Sequence, residues 1–176
     1  MKRLTAAVAL LAASTCPPLL AAPAAARPPA RPATPVSAPA AAGNVELGQR
    51  LRALGLEPKV DADGDYRLLF GLEGGRQQVT YVRARTERFG ELEIREIWSP
   101  AYQASGDTLP GEIANRLLQD GQENILGAWV RQDGTAIYVT RVPADLAGRA
   151  LSDAIEATTR AADAMEAQLT PGQDQF

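Results

Sequence analysis

Asp61, Asp63 and Asp65 place three carboxylates within five residues, at the i, i+2, i+4 spacing that resembles the opening of a calcium loop. An EF-hand would also need Gly after the third acid and Glu six residues beyond that Gly. Tyr66 and Leu72 stand at those places. The same DADGD segment is turn chemistry ahead of a strand, with Gly64 placed for the left-handed conformation, and the spacing supports the turn. No metal or other cofactor is expected. Gly71, Gly74 and Gly75 do not make a phosphate cradle, because GLEGG lacks the GK[ST] ending and opens no helix. They read as a hairpin loop.

Histidine is absent and cysteine occurs once, at Cys16. Imidazole acid/base catalysis, Ser-His-Asp and Cys-His triads and His or Cys zinc sites are thereby excluded. Lys59 is the one lysine outside the first few residues, so a lysine base for a Ser or Thr nucleophile is nearly excluded too. Glu87, Arg88, Glu91, Glu93, Arg95 and Glu96 alternate in sign and read as solvated strand and loop surface, with no spacing that selects a catalytic carboxylate pair. With Lys plus Arg at 18 and Asp plus Glu at 21, the formal charge is 18 − 21 = −3, which offers no basic field for nucleic acid. The chemistry left is binding. Trp98, Tyr102 and Trp129 are its aromatic anchors, because large rings with polar tips favour recognition and two of them sit on strands flanking one helix, where they could line a single groove.

The elements that must position these residues are legible as changes of period. Asn44 caps a short helix with Leu47, Leu51 and Leu54 on one side and Gly55 as its stop. From Lys59 to Ser99 the period is two: Tyr66, Leu68, Phe70 and Leu72, then Val79 and Tyr81, then Leu92, Ile94 and Trp98. The alternation slips where Ile97 and Trp98 are both apolar, which predicts a bulge or a strand covered on both faces. Pro110 opens a second helix bearing Ile113, Leu117 and Leu118. Residues 125–131 and 135–141 form a hairpin about a type I′ turn at Asp133-Gly134. A last helix starting at Pro143 carries Leu151, Ile155, Thr158, Ala162, Met165 and Leu169 at spacings of three and four, with Ala147, Ala154 and Ala161 beside them. From Pro143 to Leu169 it would be about 40 Å long at 1.5 Å per residue. Its stripe either lies on its own sheet or leaves Ile155, Ala162 and Met165 for a second subunit or partner. The expected fold is α+β, an antiparallel sheet with helices packed on one face, in the order α-β-β-β(-β)-α-β-β-α.

Residues 1–43 differ in kind, holding 16 Ala and 8 of the 13 Pro. Lys2 and Arg3 precede a ten-residue apolar stretch too short to span a bilayer, which takes about 20 residues. An export signal cleaved after Ala26 is expected, and hence a periplasmic or secreted protein. Lipidation of Cys16 fits less well, because Ala13, Thr15 and Pro17 depart from the usual flanks. Residues 27–43 read as a Pro/Ala-rich linker, residues 44–169 as the folded domain and residues 170–176 as a tail.

The short first helix, the acidic DADGD turn, Ile97-Trp98-Ser99, the NILGAW segment at 124–129 and the Leu/Ala-striped helix after Val142-Pro143 together resemble the YbjN-like domain. That family is related in fold to type III secretion chaperones. The resemblance spans residues 44–169 and rests on the order of diffuse motifs. It implies a compact α+β module, commonly dimeric, that binds protein segments or regulates, with no catalytic residues. The export signal departs from the cytoplasmic secretion chaperones. The expected function is therefore a non-enzymatic binding module that holds a protein partner or its own copy. The alternative is a carrier of a small apolar or amphipathic ligand between sheet and helices.

Overall fold

A computed structural model describes residues 44–176, so the expected leader, its cleavage point, Cys16 and the Pro/Ala linker lie outside the described residues. In chain order the elements are α1 (Val45–Ala53), β1 (Lys59–Val60), β2 (Tyr66–Gly71), β3 (Gln77–Val82), β4 (Glu87–Phe89), β5 (Leu92–Gln103), α2 (Gly111–Asp120), β6 (Gly127–Gln132), β7 (Thr135–Pro143) and α3 (Gly148–Leu169). The strands form one antiparallel sheet in the order β1-β2-β3-β5-β7-β6, with β4 paired to β5. The expected α+β arrangement is what is found, with the two short strands β1 and β4 added before α2. Among the described residues no helix is long and apolar enough to cross a membrane.

The local signals act as their chemistry requires. Asn44 Oδ1 accepts the Leu47 amide at 3.1 Å and caps α1. Asp61 Oδ1 accepts the amides of Asp63 and Asp65 at 3.0 and 2.9 Å, and Gly64 turns the chain with φ of 85°. The Asp61 carboxylate thus builds the turn, and that of Asp65 accepts the Ala84 amide at 2.8 Å. The β6–β7 turn departs from type I′, which needs positive φ at both central residues. Only Asp133 has it, at 51°. Gly134 serves a different need, because a Cβ there would collide with the carbonyl oxygen of Gly106, and Ala104 N donates to Gly134 O at 2.9 Å. Pro143 does not start the last helix. It ends β7 opposite Ile94, and α3 begins at Gly148, so the helix has 22 residues and is about 33 Å long at 1.5 Å per residue.

All three helices bury their apolar sides on the same face of the sheet. At one end Leu47 and Leu51 of α1 and Leu151, Ala154 and Ile155 of α3 meet Tyr66, Leu68, Val82, Ile97 and Val142. At the other, Leu117 of α2 and Ala162 and Met165 of α3 meet Ala101, Ala136 and Tyr138. Leu118, expected on that inner side, is 73% exposed. Between the two clusters the contact is polar. Thr80 Oγ1 lies 2.7 Å from Thr159 Oγ1, and Thr140 Oγ1 lies 2.8 Å from Thr158 Oγ1. Thr159 gives its own proton to the Ile155 carbonyl, so Thr80 donates across the interface, whereas the Thr158 hydroxyl faces both the Ala154 carbonyl and Thr140 Oγ1 as donor.

Candidate functional site

Strand register decides where each anchor side chain points. Trp98 pairs with Val139 and Trp129 pairs with Tyr138, and consecutive residues of β7 project to opposite faces. The two tryptophans therefore do not share a groove. Tyr138 belongs to the helix-side core, and Trp129 packs with it at 5.1 Å in an edge-on arrangement while its Nε1 donates to Asp120 Oδ2 at 2.8 Å. Trp129 clasps the end of α2. Tyr102 also lies on the helix side, opposite Ala136, because a register shift between Pro100 and Tyr102 reverses the alternation. The irregularity expected at Ile97 and Trp98 falls there instead, and those two are both apolar because they serve opposite faces.

Ile155, Ala162 and Met165 are 2%, 0% and 1% exposed and lie on the chain's own sheet. They form no free partner face.

Trp98 alone of the anchors reaches the face on which, among the described residues, no helix packs. Tyr81, its partner on β3, stacks on it with ring centroids 4.1 Å apart and planes 10° from parallel. In β3 the polar Gln78 and Thr80 face the helices, where Gln78 Nε2 donates to Ser99 Oγ and the Pro100 carbonyl and Thr80 pairs with Thr159, while Gln78 Oε1 is buried without a partner, and the apolar Val79 and Tyr81 face away. Val79, Tyr81, Trp98, Pro100, Ile137 and Phe176 line a hollow of about 270 Å3, with Gln103, Gln132, Asp133 and Thr135 at its rim. A hollow of about 170 Å3 adjoins it through Trp98, Gln132 and Ile137, and there the walls are charged: Asp63, Asp65, Arg83 and Glu96. Arg83 bonds Glu96 at 2.8 Å and lies 3.8 Å from Asp65, and Arg141 reaches Glu96 from the other side at 2.8 Å. An aromatic shelf beside an ion-paired, acid-rich corner can hold an apolar side chain with a cationic or amide neighbour.

The gap below the shelf follows from one residue. Arg83 N donates to Glu96 O, which makes Tyr81 and Trp98 the next hydrogen-bonded pair and puts Pro100 opposite Val79 two residues later. Proline has no N–H, and the ladder stops. Ser99 Oγ donates to the Val79 carbonyl at 2.5 Å in its place, and Gln78 Nε2 takes the Pro100 carbonyl at 2.7 Å. The Val79 amide is met by the tail, donating to Phe176 O at 2.7 Å.

Residues 170–176 are accordingly part of the fold. Arg76 Nη1 donates to Gln173 O at 3.0 Å, the Gln77 amide donates to Asp174 at 3.2 Å, and the Gln175 amide donates to Glu166 Oε1 at 2.6 Å. Glu166 is fully buried and bonded by Arg76 at 3.1 Å, and Arg76 also holds Asp163 at 2.6 Å. Tyr81, Val79, Pro100 and Phe176 complete the site, and of these Pro100 inside an alternating run was the signal available in sequence.

The buried carboxyl of Glu166 and the partly buried carboxyl of Glu96 are shifted in opposite senses. Burial pushes the Glu166 carboxyl above its ordinary range, only partly offset by the Gln175 amide and Arg76. Burial acts on Glu96 in the same direction, but hydrogen bonds from Arg83 and Arg141 outweigh it and hold that carboxyl below the ordinary range. The stability lent by Glu96 is therefore complete above its unfolded pKa of roughly 4.3 and is lost as pH falls through its folded value. That lent by Glu166 is present at acid pH and is withdrawn as pH rises through its folded value. In melts between about pH 3 and pH 8, the Tm deficit of Glu96→Gln should shrink towards acid, whereas Glu166→Gln should gain on the wild type as pH rises. Parallel Tm curves would contradict both assignments.

In comparisons with known proteins, no family model, curated protein or solved structure matches this chain.

Proposed function

We propose that residues 44–176 form a non-enzymatic binding module that holds a segment of a protein partner on the helix-free face of the sheet, at the Tyr81–Trp98 shelf. The observation that carries this reading is the hollow of about 270 Å3 lined by that stack, Val79, Pro100 and Ile137 on a face where, among the described residues, no helix packs. Concave, mainly apolar lining with a few polar groups around it is the form that binding sites take. The resemblance to YbjN-like domains supports the same class of activity. With the leader removed, the module acts in the periplasm or outside the cell. The carrier alternative has a hollow of about 210 Å3 at Leu56, Phe70 and Ile155, small against the roughly 300–1,000 Å3 of most ligand sites.

Selection of a displayed random-peptide library on the full chain tests the proposal. Peptides with an aromatic or aliphatic anchor should be enriched and should bind Trp98→Ala at least about tenfold more weakly, as for a central anchor residue. Leu118→Ala, on the exposed side of α2, should bind them as the wild type does. Failure to enrich any peptide, or binding indifferent to Trp98, would refute the site.

A further inference from the structure

The fork between β3 and β5 is a strand-acceptor slot, and the chain's own last residues sit in it. The Pro100 carbonyl that would accept the Val79 amide in the ladder is held instead by Gln78 Nε2 at 2.7 Å, and the Phe176 carbonyl takes that amide at 2.7 Å. Arg76 holds the Gln173 carbonyl at 3.0 Å, and the Gln77 amide meets the Asp174 carboxylate at 3.2 Å. Three of the four tail contacts go to backbone atoms, at Gln173, Gln175 and Phe176, so an unrelated chain can reproduce them. Of these contacts the Val79–Phe176 bond joins main chain to main chain, the kind of bond by which an extended peptide adds to an open stretch of strand, with specificity set by pockets for alternate side chains. Here two alternate positions are read: an acid at Asp174, within 3.9 Å of Arg76, and an aromatic residue at Phe176, which walls the hollow beside Val79 and Trp98.

Resting on the binding function proposed above, we infer that the partner segment is an extended peptide with an acidic residue two places before an aromatic or large apolar one. The tail is its tethered competitor. A tethered segment competes at an effective concentration in the millimolar range, so the slot opens to a partner only when the tail releases it.

The probe is a fluorescein-labelled peptide of residues 170–176, titrated by anisotropy into the full wild-type chain and into full-length Gln175→Pro, which lacks the amide given to Glu166. The variant should bind at least about tenfold more tightly, because its own tail competes poorly. In parallel, hydrogen exchange at the Val79 amide should be slow in the wild type, faster in Gln175→Pro and slow again when that variant is saturated with peptide. Equal affinities, or a Val79 amide that exchanges rapidly in the wild type, would overturn the inference. So would a tail exchanged between two copies, seen as protection that depends on protein concentration. Library peptides that need Trp98 yet leave the Val79 amide undisturbed would overturn it while leaving the binding function intact.

Discussion

Replacing Arg76 by glutamine should lower the unfolding free energy by about 3 kcal/mol, the low end of the range for breaking a buried ion pair, because Arg76 retains some contact with water. Its side chain is 22% exposed whereas that of Glu166 is 0%. The loss would come less from the missing attraction than from Glu166, left as a buried charge with no cation beside it. Urea denaturation should also show that Glu166→Gln in the Arg76→Gln background restores much of the lost stability. An ordinary surface ion pair gives about 1 kcal/mol or less and no such rescue, so the double-mutant cycle separates the two cases. The Arg76→Gln chain should also expose the Val79 amide, since the bond to Gln173 goes with the guanidinium.

Ile155→Ala should cost about 2–5 kcal/mol, the range for truncating a fully buried aliphatic side chain. Ile155 is 2% exposed within the cluster formed by Leu51, Leu68, Ile97 and Leu151. The measurement is the urea midpoint of the monomer at an unchanged m-value. If Ile155 instead faced a second subunit, its truncation would shift the monomer's stability by no more than about 0.5 kcal/mol. The same contrast applies to Met165, which is 1% exposed against Ala162 and Leu117 in the other cluster.

The helix stripe was legible because its period is local: Leu151, Ile155, Thr158, Ala162 and Met165 fall on one side of a single element and are all buried. The sheet was legible only in part. Alternation in β2 marks the helix side, where Tyr66 and Leu68 are buried, but in β3 and β5 the same apolar alternation of Val79, Tyr81 and Trp98 marks the other side. Period two tells which residues share a face and not which face the helices take. That choice is made by polar residues whose partners are far along the chain, such as Thr80 with Thr159 and Gln78 with Ser99. Separating Trp98 from Trp129 required knowing that both strands pair with β7, a non-local fact. The tail was opaque for a similar reason. PGQDQF has neither period nor apolar content to suggest packing, and its attachments lie at Arg76, Gln77 and Val79, nearly a hundred residues earlier. Pro143 misled because proline suits the first turn of a helix as well as the last position of a strand.

The paired hydroxyls between α3 and the sheet make the seating of that helix a discrete choice. Leucine, isoleucine and alanine would tolerate a slide along the axis, since one methyl group is much like the next. Thr80 with Thr159 and Thr140 with Thr158 would not, because displacement by a single turn strands the sheet hydroxyls in a dry environment at about 1–3 kcal/mol each. The oily contacts supply adhesion, and the two hydroxyl pairs act as an indexing pin.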